Sequence, residues 1–229
     1  MKILVTGAHF TPAVAVLEEL KKYPNAQVIY VGRKKTLEGD RTISIESQAL
    51  PSMGIKFIPI TTGRLQRAFS IYTIPSLFKI PVGFIQALFI ILSQKPDVIL
   101  SFGGYVGVPL VITGWFLSVP VIVHEQTLVS GLANKISAWF ADKIAVSFSN
   151  TVNGEKVILT GNPIREIIKK TQTKKSRGLP VILITGGNQG SHAINLAVEE
   201  SLGEISKFAS VIHVAGDNKY HDYERLKNL

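Results

Sequence analysis

Side chains able to do chemistry gather in short polar clusters, each directly after an apolar run. His9 follows the run Lys2 to Val5 and Gly7, just ahead of a helix. An imidazole there can take a proton from a substrate hydroxyl while the helix amino terminus at Thr11 to Ala13 holds anionic groups nearby. Taken alone it is a weak sign, because a lone histidine is more often structural. Ser101-Phe102-Gly103-Gly104-Tyr105-Val106-Gly107 permits close backbone approach by a ligand and presents a phenol as donor or acceptor; a tight packing turn is the bland alternative. Glu125, within His124-Glu125-Gln126, can bind sugar hydroxyls, act as a base or orient a histidine, or else form an ordinary ion pair. The loop Gly186-Gly187-Asn188-Gln189-Gly190-Ser191 opens a helix carrying His192, Asn195 and Leu196 and meets the requirements of an anion-binding turn, with diphosphate the preferred ligand. It lacks the Gly-Lys-Ser/Thr ending of an ATP-binding loop and does not match Gly-x-Gly-x-x-Gly. Transfer or recognition therefore fits better than hydride transfer or ATP hydrolysis.

Other chemistries are excluded by what is missing. With no cysteine among 229 residues there is no disulfide framework, thiol nucleophile or thiolate metal site. The five histidines are scattered without a metal-spaced pair, so no bound metal is expected. No serine, histidine and acid triad and no paired carboxylates of a glycoside hydrolase emerge from the spacing.

These clusters need a scaffold that brings them together, and the pattern is α/β. Strands read at Lys2 to Val5, Gln27 to Gly32, Ile55 to Ile60, Val98 to Phe102, Val119 to His124 and Lys143 to Ser147, several apolar throughout as in a parallel sheet covered on both faces. A helix reads from Pro12 to about Lys22 with Thr11 as N-cap. Another starts near Gly131, with Leu132, Ile136, Trp139 and Phe140 on its buried face and Asn134 in its first turn. Carboxyl ends of parallel strands open into one crevice, so the clusters at His9, Gly103 and Glu125 converge. Residues 1–163 form the first domain. Residues 164–178, with six basic residues against one acidic, form a solvated connection, and 179–229 begin a second domain. About 50 residues cannot complete a doubly wound fold, so the chain reads as the front two-thirds of a two-domain enzyme, with an uncovered apolar face on its second part.

A net charge of +9 favours anionic partners, yet no basic stripe interleaved with stacking aromatics marks nucleic-acid binding, which is not expected. The opening MKILVTG runs straight into a buried-type strand, which argues for a cytoplasmic protein without a cleaved leader. Between Arg64 and Lys95 lies a greasy stretch whose longest uncharged run, Ile80 to Gln94, is 15 residues, short for a bilayer span. Phe69, Ile71, Tyr72, Ile74, Leu77 and Phe78, fringed by Arg64, Arg67 and Lys79, suit interfacial attachment to anionic lipid, whereas most of residues 84 to 92 is assigned to core packing.

Six motifs in one order carry a family likeness: His9-Phe10-Thr11-Pro12-Ala13-Val14-Ala15-Val16, Phe102-Gly103-Gly104-Tyr105-Val106, Pro120 to Gln126, Gly131-Leu132-Ala133-Asn134-Lys135, Gly161-Asn162-Pro163-Ile164-Arg165 and Gly186 to Gly190. Together they resemble the MurG family, the peptidoglycan N-acetylglucosaminyltransferases of glycosyltransferase family 28. The resemblance implies a GT-B fold: a complete Rossmann-like amino-terminal domain that binds the undecaprenyl-diphosphate-linked muramyl-pentapeptide, then the start of a second that binds UDP-N-acetylglucosamine. It implies a hexosyltransferase that converts lipid I to lipid II with inversion at the anomeric carbon. The muramyl C4 hydroxyl is the nucleophile, and the donor nucleotide is a substrate with no further cofactor. It also implies peripheral attachment to the cytoplasmic face of the cell membrane, in the service of cell-wall synthesis, cell shape and division. Position by position, His9 and Glu125 carry over as catalytic residues and Thr11, Tyr105, Thr127 and Asn134 as acceptor-side residues. Arg165, Asn188, Gln189, Gly190 and Asn195 carry over to the donor.

Three departures stand out. The family opens Gly-Gly-Thr-Gly-Gly-His, whereas this chain has the shorter Thr6-Gly7-Ala8-His9. Thr127 replaces an asparagine and Asn188 a serine. The family's late acidic residue and Gln-Gln pair, which grip uridine and donor sugar, find no counterpart before Leu229. Two other readings therefore accompany the enzyme: a non-catalytic acceptor- or membrane-binding module completed by a separate polypeptide, and an inactive remnant.

Overall fold

The computed structural model describes residues 1–35, 43–63, 73–149, 151, 154–170, 178–187, 190–216 and 220–227. The chain divides into two compact units, Met1–Lys170 and Thr171–Leu229. The division falls inside the expected connection, but that stretch begins with a short helix that belongs to the first unit.

In chain order the first unit runs β1 (Lys2–Thr6), α1 (Phe10–Leu20), β2 (Gln27–Gly32), α2 (Ile45–Ser52), β3 (Lys56–Pro59) and α3 (Thr73–Gln94). It continues with β4 (Val98–Ser101), α4 (Val108–Phe116), β5 (Val121–Glu125), α5 (Leu132–Trp139), β6 (Lys143–Val146), β7 (Val157–Leu159) and α6 (Glu166–Lys170). The strands form one parallel sheet in the order β3-β2-β1-β4-β5-β6-β7. The order reverses between β1 and β4, and the carboxyl ends at such a reversal are where open α/β sheets bind ligands. Alternation along the strands splits the core into two layers. Ile3, Val5 and Tyr30 pack with Ala13 and Leu17 of α1 and Leu50 of α2. Leu4, Val31 and Ile99 pack on the other face with Ala87 and Ile91 of α3 and Leu110 and Val111 of α4.

Four local expectations are corrected. The N-cap of α1 is His9, not Thr11, and it makes no side-chain cap bond. Thr11 and Pro12 lie inside the first turn, where a proline is tolerated because its missing N–H would have had no partner. The buried face of α5 is Asn134 and Ser137, while Leu132 and Trp139 are exposed, Trp139 at 83 %. Helix α3 takes in both the described part of the stretch expected to face lipid and the stretch expected as core, with Pro81 inside it. Its inward residues are few. Ile85, Leu88, Phe89 and Leu92 are exposed, so the apolar surface begun by Ile74, Leu77 and Phe78 runs on to the end of the helix at helical spacing. Strand β7 was not foreseen; three apolar residues at a sheet edge are too short to give a periodic signal.

The second unit holds β8 (Val181–Thr185), α7 (His192–Ile205), β9 (Ser210–Val214) and α8 (Asp222–Leu226). β8 and β9 pair in parallel and every second residue is exposed. Val181, Leu183, Ile212 and Val214 form the bare apolar face expected of an uncovered sheet.

Candidate functional site

The carboxyl ends of β1, β4 and β5 bring the first three clusters together. After β1 the chain turns through Gly7 and Ala8, and Ala8 N–H donates to the Gly103 carbonyl at 2.9 Å. From the other side the buried Tyr30 hydroxyl donates to the Gly7 carbonyl at 2.9 Å, its pKa driven up by burial and then by the Glu46 charge. Gly104, at φ +78°, sits so close to Ala8 that a Cβ would stand 2.6 Å from the Ala8 Cβ, which requires glycine there.

Asn134 locks this turn from α5. Its Oδ1 accepts from Gly104 N–H at 3.2 Å and its Nδ2 donates to Glu125 Oε2 at 2.6 Å. The other oxygen of Glu125 accepts from the Thr127 backbone N–H at 2.9 Å and the Thr127 hydroxyl at 2.7 Å. Burial pushes the Glu125 pKa up, but bonds from Thr127, Asn134 and Ser130 outweigh it and hold the group below the usual glutamate value. Only 2 % exposed, this carboxylate is a buried charge held by its hydrogen bonds. Asn134 is buried and spent on internal bonds, whereas Thr127 is exposed and bonded to Glu125.

His9 lies within reach of the Glu125 charge. Its residue is exposed at the head of α1, yet desolvation by the surrounding protein lowers its pKa; the Glu125 charge works to raise it and His124 to lower it. The imidazole is therefore neutral near pH 7. The uncapped start of α1 leaves the Phe10 and Thr11 N–H groups beside it without side-chain partners. Tyr105 is half-buried, and the Arg33 guanidinium lies over its ring at 4.8 Å. Among the described residues no carboxylate pairs with Arg33. Sequence reasoning missed this cation; its one signal was a basic residue directly after an apolar strand ending in Gly32.

Further along the sheet edge, His124 is buried with its pKa lowered by desolvation, partly offset by the Gly161 carbonyl, Glu125 and Gln126. Buried atoms without a partner, among the described residues, include His124 Nδ1, Gln126 Oε1, Ser147 Oγ and Thr6 Oγ1. Arg165 lies in the first unit, bound to Glu18 of α1 at 2.6 Å. No group of three histidine, aspartate or glutamate side chains suited to a metal is found among the described residues.

In the second unit the glycine turn enters α7, whose N-cap Ser191 makes no side-chain cap bond, leaving first-turn N–H groups for an anion. Gly190, at φ +72°, lies so close to β9's end that a Cβ would stand 1.7 Å from the Ala215 carbonyl oxygen. Asn188 and Gln189 lie outside the described residues, as do Arg64, Arg67, Phe69, Ile71 and Tyr72. Asn195 is fully buried: Nδ2 donates to the Ala215 carbonyl at 3.0 Å and to Asp222 at 2.8 Å, and Oδ1 lies 2.9 Å from His213 Nε2. It braces the turn from within. Asp222 also holds His192 at 2.9 Å, and that ring stacks on Tyr220.

Residues 5–146 match the model of the glycosyltransferase family 28 N-terminal domain, which covers the whole constellation from β1 to β6. The chain belongs to this family. It is 38 % identical over 94 % of its length to "UDP-N-acetylglucosamine--N-acetylmuramyl-(pentapeptide) pyrophosphoryl-undecaprenol N-acetylglucosamine transferase 2" of Bacillus cereus. It is 36 % identical, also over 94 %, to the transferase that bears the same name without the numeral from a Thermoanaerobacter species. The chain spans 62 % and 60 % of those two relatives. Among solved structures it resembles Acinetobacter baumannii MurG, with TM-score 0.64 and 22 % identity over 99 % of this chain and 61 % of that one. It also resembles a Neisseria meningitidis UDP-GlcNAc 2-epimerase bound to UDP-GlcNAc, with TM-score 0.59 and 17 % identity over 100 % and 68 %. At those identities the likeness concerns the fold, which is of the GT-B type.

Proposed function

We propose that this chain supplies the acceptor side, and part of the donor side, of a transferase that moves N-acetylglucosamine from UDP-N-acetylglucosamine to the C4 hydroxyl of an undecaprenyl-diphosphate-linked muramyl-pentapeptide. The observation that carries the reading is the neutral His9 at the head of α1, set beside the fixed Glu125 charge at the sheet's point of reversal. His9 takes the C4 hydroxyl proton as that oxygen bonds to the anomeric carbon from the face opposite the diphosphate. The bond from the anomeric carbon to the diphosphate oxygen breaks, UDP leaves as an anion, and the anomeric centre inverts. On the second unit, the first-turn N–H groups of α7 suit the diphosphate of the donor. Arg33, the N–H groups of Phe10 and Thr11, and the Tyr105 phenol hold the acceptor diphosphate, with Arg33 compensating for the short first loop. Glu125, Asn134 and Thr127 act through His9 and the glycine turn as positioning residues.

The membrane surface meets the outer face of α3. This helix is apolar and long enough to cross a bilayer by length and composition, but Ala87 and Ile91 are in the core, so it lies along the protein with Phe78 and Phe89 outward, 75 % and 67 % exposed. A second reading, acceptor binding without transfer by this chain alone, is favoured by the bare apolar face of β8 and β9.

The test is transfer of labelled N-acetylglucosamine to lipid I, with and without the carboxyl-terminal segment of the Bacillus cereus relative added as a separate polypeptide. Product that requires the added segment and disappears with His9→Ala is the expected result. Failure of the wild-type chain to bind lipid I at all, measured by retention on lipid I vesicles, overturns the proposal.

A further inference from the structure

Behind Tyr105 the first unit holds an apolar cavity of about 130 Å³ between α3, α4 and α5. Ile80 and Phe84 of α3, Pro109 of α4, and Ala133 and Ile136 of α5 line it with Tyr105, and none of the described residues around it is charged. We propose that this cavity takes the first isoprenyl unit of the lipid carrier, next to the diphosphate; the inference rests on the reading of the first unit as the acceptor site.

Three observations carry it. Its walls are shared with the polar site: Tyr105 directly follows the Gly103-Gly104 turn and lies under Arg33, while Ala133 precedes Asn134. A ligand with its diphosphate at Arg33 and the turn thus has its next carbons at the cavity. The opposite wall is the inward side of α3, one turn of helix away from the exposed stripe of Leu77, Phe78, Leu88 and Phe89, so a longer chain leaving the cavity continues onto apolar surface. Size and shape also fit. A dry apolar cavity of roughly 150 Å³ accommodates a benzene ring, so about 130 Å³ suits a flat five-carbon unsaturated unit and little more. The walls are held in place, with Gln86 Oε1 of α3 accepting from the Thr61 N–H at 2.7 Å and α4 starting under the same helix.

The experiment titrates the 229-residue chain, without membranes, with inorganic diphosphate, geranyl diphosphate and geraniol by calorimetry. Geranyl diphosphate is expected to bind about 30-fold more tightly than inorganic diphosphate, the increment for burying most of one isoprenyl unit. Ala133→Leu and Ile136→Phe, which fill the cavity from two positions, should each remove that increment while inorganic diphosphate binds as before. Equal affinity of the two diphosphates overturns the proposal, as does an increment that survives both fillings or that is lost in Phe89→Ser on the outer stripe. If inorganic diphosphate does not bind, the polar-site reading fails on its own. Geraniol then reports on the cavity: binding abolished by Ala133→Leu upholds it and no binding overturns it.

Discussion

Asn134→Asp changes one atom type at the point where the glycine turn meets Glu125, and the bonds around it set the outcome. The aspartate keeps the acceptor that holds Gly104 N–H, but a carboxylate oxygen replaces the donor that lies 2.6 Å from Glu125 Oε2. Two buried carboxylates so close cannot both be ionised, so the folded protein must retain a proton. The unfolded chain, with carboxyl pKa values near 4, has released it at neutral pH. Holding that proton costs about 1.4 kcal/mol for each pH unit above about 4, hence up to about 4 kcal/mol at pH near 7. Below pH about 5 the protonated aspartate donates to Glu125 and the variant approaches the wild type. The wild-type slope has the opposite sign: Glu125 has a lowered pKa, so its contribution is present above the ordinary glutamate value and is lost as pH falls through the folded value. Asn134→Ala, which removes one neutral and one charged bond, should cost about 2–4 kcal/mol without this rise toward neutral pH. Urea unfolding followed by tryptophan fluorescence reads the effect, because Trp115 and Trp139, the two tryptophans, both lie in the first unit. A cost for Asn134→Asp that is the same at pH near 5 and pH near 7.5 would refute the arrangement.

Two further outcomes follow from the same geometry. Because the Glu125 charge raises the His9 pKa, Glu125→Gln should move the His9 titration to lower pH, read from its imidazole proton shifts by NMR; a rise or no movement would separate the two groups. Phe78→Ser and Phe89→Ser should each weaken binding to anionic phosphatidylglycerol vesicles by roughly tenfold in a sedimentation assay, since each removes a large side chain from the bilayer boundary. Weakening by Phe78→Ser alone would confine the membrane contact to the first half of α3.

Strands of the first unit were legible because they are apolar throughout and end at glycine or polar residues; β1, β2, β4, β5 and β6 all lie within two residues of their expected limits. Convergence of His9, Gly103 and Glu125 was legible too, since parallel topology alone fixes which strand ends meet. Side-chain direction was not. The periodicity of α5 favoured Leu132 and Trp139 as its buried face, but Asn134 is drawn inward by Gly104 and Glu125, and Leu132 and Trp139 are turned out. For α3 the opposite ambiguity applied: residues 84 to 92 are so uniformly apolar that composition could not tell which side meets the sheet, and only Ala87 and Ile91 are buried. The roles of Glu125 and Asn195 depend on how many partners each side chain finds, which spacing does not encode.

That partner count also explains why two titratable groups in one small cluster behave differently. Glu125 and His9 both stand at strand ends beside the same turn, yet four bonds saturate the carboxylate, whereas the imidazole keeps one side open to solvent. A saturated anion cannot take up a proton without losing bonds. A desolvated imidazole starts neutral and, once protonated, is stabilised by the anion nearby. Asn134 links the two functions: its amide both saturates Glu125 and fixes the Gly104 turn against Ala8, the residue before His9. The position of His9 and the charge beside it therefore depend on a single side chain.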